Sequence, residues 1–342
     1  MNVLRQRRGR LATVLTVVAA TALGLSACGS NGGSGASGSS SKQLNLVGFS
    51  VIKSAYDELG TSFAKTDAGK GVTFKSSIGA SGAQSRAVIA GQKADVVALS
   101  LSPDVKNIAD AGKIDPSWDS SASKGIVSDS VVVIAVRKGN PKGIKGWADL
   151  IKPGVGIVTP DPGTSGSAKW NLLAAYSQAL GPNKDEAAAK TYLASFIKNV
   201  VSWNESGRTA TDAFVKGTGD VLISYEVEAI AARAADVALD YIVPDSTFLI
   251  ENPAAVTKTA APAATEFLKY VESPDGQKIL ASKGFRPIDP SVTATDVAGA
   301  NDPANPFPKV TNLTTVADLG GWSTVNDSLF DKDKGLVAEL RK

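Results

Sequence analysis

The chain of 342 residues contains no histidine, a single cysteine and a single methionine, the initiator. Without histidine there is no Ser-His or Cys-His catalytic pair and no imidazole metal ligand. A lone cysteine, Cys28, cannot close an internal disulfide. A net charge of +3 is small for this length, and no dense basic stripe marks a nucleic-acid partner. Neither a tandem repeat nor a cofactor motif stands out.

What is present begins with an addressing segment. Residues 4–10, "LRQRRGR", are basic, residues 11–23, "LATVLTVVAATAL", are apolar, and "LSAC" ends at Cys28. The apolar run is shorter than the ~20 residues a comfortable membrane span needs. The order of charge, apolar run and cysteine resembles a bacterial lipoprotein signal. That resemblance implies a signal segment, 1–28, ending in the lipobox cysteine, with the peptide before Cys28 cut away and lipid on the Cys28 side chain. Residues 29–42, "GSNGGSGASGSSSK", form a Gly/Ser tether that cannot bury apolar surface. The remaining body of about 300 residues is long enough for a large core or two domains.

In that body short apolar runs alternate with amphipathic stretches. Strands are expected at 44–50, 71–77, 94–100, 128–141, 154–160 and 219–225, and helices at 55–65, 84–91, 168–180, 186–198 and 210–216. The rhythm is that of an α/β fold with mostly parallel sheets.

Several strand-to-helix junctions share one chemistry. "TPDPGTSGSAKW" (159–170), "SSIGASGAQSRAV" (76–88), "WNESGRTATDAFV" (203–215) and, more weakly, "GFSVIKSAYDEL" (48–59) each bring small or hydroxyl residues to a helix start. The first amides of a helix have no intrahelical acceptor, and the macrodipole adds about half a positive charge there. One such junction is commonly a plain cap. Several meeting at one point make an anion site from neutral groups. A serine-nucleophile reading is weak, because the Gly-x-Ser-x-Gly pattern fails at Ser167 and no histidine can act as base. "GASGAQSR" also lacks the Gly-Lys-Ser/Thr ending of a nucleotide P-loop.

With "GASGAQSRAVIAGQKADVV" (79–97), "VRKGNPKGIKGWADLIKPGVGIVTPDPGTSGSAKWNLLAAY" (136–176), "AFVKGTGDVLISYEVEA" (213–229), "YVESPDGQKI" (270–279) and "LGGW" (319–322), the chain resembles the sulfate/thiosulfate-binding proteins of bacterial ABC importers. The resemblance implies a two-lobed periplasmic-binding-protein (type II) fold with a ligand cleft between the lobes. Residues 43–129 and 247–342 would form one lobe and 130–246 the other, with crossings near 128–132 and 243–248. It also implies oxyanion capture by N–H and O–H donors without a salt bridge. Carried over residue by residue, the donors fall on Ser81, Ser165, Gly166, Ser167, Ala210 and Tyr225, with Ile52 in the divergent N-terminal loop. Tyr225 stands where the family has an indole donor. Asp161 stands where the family has asparagine.

The resulting expectation is a monomeric, non-enzymatic receptor that passes sulfate or thiosulfate to an ABC permease. It would sit outside the cytoplasm, held at the outer face of the cell membrane by the lipid on Cys28. No cofactor or metal is expected. The alternative within the binding class is a receptor for phosphate, molybdate or tungstate; Asp161 speaks for phosphate, which carries a proton near neutral pH and wants an acceptor. A secreted hydrolase or transferase using Ser165 or Ser81 would need a base other than histidine, such as lysine.

Overall fold

The structure, a computed structural model, describes residues 42–342. The expected signal segment, Cys28 and nearly all of the tether lie outside the described residues. In chain order the elements are β1 (Lys42–Phe49), α1 (Lys53–Phe63), β2 (Val72–Gly79), α2 (Ser81–Ile89), β3 (Val96–Ala98), α3 (Ser102–Asp110), β4 (Ile126–Arg137), α4 (Trp147–Leu150), β5 (Ile157–Pro160), α5 (Gly166–Leu180), α6 (Glu186–Lys198), β6 (Val200–Asn204), α7 (Gly207–Val215), β7 (Val221–Tyr225), α8 (Glu226–Ala234), β8 (Leu239–Ile242), β9 (Ser246–Val256), α9 (Pro262–Glu272), α10 (Pro274–Ser282), β10 (Asn312–Thr314), α11 (Gly321–Val325) and α12 (Leu336–Leu340). A one-turn 3-10 helix, Ser50–Ile52, joins β1 to α1.

The strands form one path, β2-β1-β3-β9-β4-β7-β5-β6, with β10 beside β9 and β8 beside β4. Pairings of β1 with β2 and β3, and of β5 with β6 and β7, are parallel. The expected mostly parallel sheet is thus met at both ends but not in the middle. Each antiparallel pairing involves β4 or β9. These two strands are long enough to serve both halves. Residues Ser128–Val131 of β4 pair with β9, and Val132–Val136 pair with β7. Beyond that stretch, Ala254–Val256 of β9 pair with β3.

The apolar run of β4 is continuous because both faces are covered. Val131, Val133 and Ala135 belong to one buried cluster, whereas Val132, Ile134 and Val136 belong to another. This is the period of two expected of a strand. α5 buries Trp170, Leu173 and Leu180, and Gly181, at φ 58°, ends it. Such a left-handed residue after a helix favours glycine. Ser206 caps α7 reciprocally: its hydroxyl accepts from the Thr209 amide at 3.2 Å, and the Ser206 amide donates to the Thr209 hydroxyl at 2.9 Å.

The C-terminal segment differs from the expected placement of all of 247–342 with the N-terminal half. Trp322 packs edge-on against Trp170 of α5, with ring centroids 5.0 Å apart. Lys190 of α6 pairs with Glu339 at 3.0 Å, and Lys169 donates to Asn326 Oδ1 at 2.9 Å. The aromatic anchor and these polar contacts draw the segment onto α5 and α6.

The shared strands carry an uncompensated acid. Asp129 of β4 stands directly opposite Glu251 of β9, and its buried Oδ1 has no hydrogen-bond partner. Burial, reinforced by Glu251 and only partly offset by Arg286, pushes the Asp129 pKa up to about 7. A carboxyl raised in the folded state binds more protons there than in the unfolded chain, so stability falls as pH rises from about 4 to 7. Asp129→Asn is therefore expected to stabilise the protein at pH 8 by on the order of a few kcal/mol, with the gain fading towards pH 4. Urea denaturation at both pH values checks this. Equal stability of variant and wild type at pH 8 would contradict the assigned cost.

Candidate functional site

Four strand-to-helix junctions meet at the ends of β1, β2, β5 and β6, as the sequence expectation requires. The β5–α5 loop touches α2: the Gly82 amide donates to the Thr164 carbonyl at 3.2 Å. It also touches the β6–α7 loop, because the Thr164 hydroxyl donates to the Glu205 carbonyl at 2.8 Å. The start of α7 reaches the β1–α1 turn, the Arg208 amide lying 3.4 Å from Ser50 Oγ. A groove of about 800 Å³ lies beside this meeting point, lined in part by Ser50, Lys53, Gly79, Ser206, Arg208 and Thr209.

Within the ring several donors have no acceptor among the described residues. They include the Ser165 hydroxyl and the amides of Gly166 and Ser167 at the start of α5, the Ser81 amide at the start of α2, and the Gly207 amide at the start of α7. Buried donors are nearly always satisfied, so a group of unspent ones marks a place for an acceptor-rich ligand.

Each expected donor has a defined place. Ser165, Gly166 and Ser167 open α5 as expected. Tyr225 ends β7 and is buried, its hydroxyl 2.6 Å from Ser100 Oγ. Burial raises the phenol pKa, although bonds from Ser100 and Ser167 oppose the shift. Ile52 is buried at the end of the one-turn helix, whose Val51 lies beside Gly207. Ala210 is displaced from the expected role. Its amide donates to the Ser206 carbonyl at 3.0 Å and is used up inside α7. The helix starts three residues earlier, so the free amide belongs to Gly207. Ser81 opens α2, but its hydroxyl already donates to Asp104 Oδ2 at 2.6 Å.

Ser100, Asp104 and Gly207 were missed in the sequence. Ser100 is central: its amide donates to Ser81 Oγ at 3.0 Å, and its carbonyl accepts the Trp170 indole N–H at 2.9 Å. "ALSLSPDV" is a fifth strand-to-helix junction of the same kind, and that was the available signal. The Ser206-x-x-Thr209 cap was the signal for Gly207.

Charged groups near the ring are tied elsewhere. Asp161 Oδ1 accepts from the Gly163 amide at 2.8 Å, and Oδ2 pairs with Arg341, whose guanidinium stacks 4.2 Å over Trp203. Burial opposes ionisation of Asp161, but Arg341 and the Gly163 amide outweigh it and hold the carboxyl below its usual range. Arg208 pairs with the buried Glu228 at 2.9 Å and braces α7 against α8. On the neighbouring turn, Glu226 is gripped by Arg286 at 2.7 and 3.1 Å.

Residues 44–286 match the family model described as bacterial extracellular solute-binding protein. The chain is 38% identical to a sulfate-binding protein of Synechococcus elongatus, over 92% of this chain and 91% of that one. It is 33% identical to a thiosulfate-binding protein of Pseudomonas aeruginosa, over 83% and 88% respectively. Among solved structures it is similar to the sulfate-binding protein SubI from Mycobacterium tuberculosis H37Rv, with TM-score 0.80 and 43% identity, covering 85% of this chain and all of the other.

The close packing at the start of α5 is open to test. A Cβ added at Gly166 would lie 2.6 Å from Ser100 Oγ and 2.8 Å from Leu101 Cγ. Gly166→Ala is expected to cost about 1–3 kcal/mol, as overpacking usually does. Scanning calorimetry should show a lower Tm. A Tm equal to wild type would contradict this approach of α5 to the loop between β3 and α3.

Proposed function

We propose that this chain, which belongs to the bacterial extracellular solute-binding proteins and has a sulfate-binding relative along 92% of its length, captures sulfate, with thiosulfate as a second ligand. It hands the anion to the permease of an ABC importer and carries out no chemistry on it. A lipid on Cys28 holds the monomer at the outer face of the cell membrane.

The observation that carries this reading is the set of unspent donors at Ser165, Gly166, Ser167 and Gly207, with no free acceptor in their loop. Sulfate accepts at every oxygen and carries no proton near neutral pH. A protonated phosphate brings an O–H that needs an acceptor. Asp161, the acid in this loop, is occupied by Arg341 and Gly163, which favours sulfate. In this reading the lobes are 43–129 with 247–286, and 130–246 with the residues from 297 on, which pack against α8, β8, α5 and α6. β4 and β9 are the passages between them, and the lobes close on the anion.

Isothermal titration of wild type, Ser165→Ala and Asp161→Asn with sulfate and phosphate tests the reading. Ser165→Ala removes one hydrogen bond to a charged ligand and is expected to cost about 1.5–3 kcal/mol of sulfate affinity. Asp161→Asn should leave sulfate affinity nearly unchanged. Phosphate should bind more weakly by at least about 1–3 kcal/mol, the cost of an unsatisfied buried polar group. Tight phosphate binding that Asp161→Asn abolishes, with no sulfate binding, would replace this reading with a phosphate receptor.

A further inference from the structure

Lysines gather at the edge of the sheet where β1, β2 and β3 begin, and backbone bonds fix them there. The Lys42 amide donates to the Gly71 carbonyl at 3.2 Å, which brings Lys70 beside it. The Asp95 amide donates to the Asn45 carbonyl at 2.8 Å and places Lys93, two residues earlier, at the same edge. The Thr257 amide donates to the Asp95 carbonyl at 3.0 Å, and the next amide, that of Lys258, to the Lys113 carbonyl at 2.8 Å. Lys93, Lys113 and Lys258 line one cleft of about 430 Å³. Lys42, Lys70, Lys93, Lys113 and Lys258 are all exposed. None of them has an ion-pair partner among the described residues. Nearby acids do not cancel them. Asp95 is buried, its carboxylate accepting from the Asn45 amide and side chain at 2.7 Å each. Asp110 pairs with Lys106 at 2.7 Å, and the exposed Asp67 and Asp115 are outnumbered.

A lysine after a helix offsets the macrodipole, and that accounts for Lys93 after α2 and Lys113 after α3. Lys42, Lys70 and Lys258 stand at strand ends, where no helix end calls for them. Resting on the lipid-anchor reading above, we propose that this edge docks on anionic phospholipid headgroups and is the receptor's second, electrostatic contact with its membrane.

The chain itself points to that occupant. Residues 29–41 join Cys28 to Lys42 and span at most about 45 Å in any conformation. The edge that starts at Lys42 is the part of the body nearest, along the chain, to a lipid on Cys28. Surface charges attract only within about a Debye length, ~8–10 Å, so a basic face needs such a tether to be held in range. Lipid chains and basic patches commonly act together in this way. Ile89, the last residue of α2, adds an apolar side chain, 37% exposed, next to Val88 of the cleft lining. Lysines with an exposed apolar residue among them suit a headgroup layer. The expected anion ring lies at the other ends of β1 and β2, about 25 Å away along an eight-residue strand. Docking by the lysine edge leaves that ring open to solvent.

The test is co-sedimentation of the chain from residue 29 onward, which lacks the lipid, with vesicles of phosphatidylglycerol and of phosphatidylcholine at low ionic strength. Residues 40–342 form a compact unit of their own, so this chain keeps the described body. It is expected to pellet with phosphatidylglycerol, to stay in solution with phosphatidylcholine, and to be released by salt. Each lysine near an anionic surface is worth about fivefold in partitioning, so Lys93→Gln, Lys113→Gln and Lys258→Gln together should weaken it by on the order of a hundredfold. Lys145→Gln, Lys198→Gln and Lys216→Gln remove the same charge from exposed positions away from this edge and should change binding by less than about fivefold. Equal loss in the two triple variants, equal binding to the two lipids, or no binding to phosphatidylglycerol would overturn the inference and leave the lipid anchor standing. Release by free glycerol phosphate at unchanged ionic strength would assign the cleft to a soluble phosphate and overturn it equally. A Cys28 found without lipid, by mass spectrometry of the full chain made in bacteria, would overturn the anchor reading and this inference with it. The comparison of the two lipids on wild type holds even if a variant folds poorly.

Discussion

A buried dianion without a counter-ion needs a partial positive charge at each of its oxygens, and in the proposed site helix starts are the source. The constraint is geometric before it is chemical. Helix amides point along the axis, so several can face one ligand only if their helices begin at one place. Strands that run parallel bring their carboxyl ends to a common edge, and the helices that follow begin there. β1 and β2 do this in one half of the sheet, and β5 and β6 in the other. The antiparallel shared strands β4 and β9 set the halves edge to edge, so that Gly82 meets Thr164 and Arg208 meets Ser50.

The same constraint explains where the full charges are. A carboxylate loose in the ring would repel an anion, and a loose guanidinium would bind one without regard to its protons. Asp161 is taken by Arg341, Glu228 by Arg208, and Glu226 by Arg286. Each pair removes a charge that would otherwise compete with the neutral donors. The C-terminal segment is part of this arrangement, because Arg341 arrives with the docking of Trp322 on Trp170. Asp104 is the acid left in direct contact with an expected donor, through Ser81.

What could be read from the sequence followed local signals. Small and hydroxyl residues before helices gave the junctions, including the Ser165–Ser167 start of α5, and the apolar run at 128–141 gave the strand that becomes β4. What could not be read depended on distant partners. Local periodicity does not say that β9 runs antiparallel to β3 and β4, since strand direction is settled by packing far along the chain. Nor does it say that residues 316–341 return to α5 and α6. The error at Ala210 was of another kind: the resemblance was carried over three residues out of step, and the Ser206–Thr209 cap fixes the helix start that corrects it. Asp104 escaped notice because its meaning lies in a contact with Ser81, 23 positions earlier.

The central claim is that neutral donors at converging helix starts, and not a paired cation, hold the anion. A crystal structure of the sulfate-bound protein tests it most directly. The account predicts sulfate oxygens within hydrogen-bond distance of the Ser165 hydroxyl and the amides of Gly166, Ser167 and Gly207, with no arginine or lysine nitrogen in direct contact. A sulfate seated against Arg86, Lys169 or Arg208, or lying outside this ring, would contradict it.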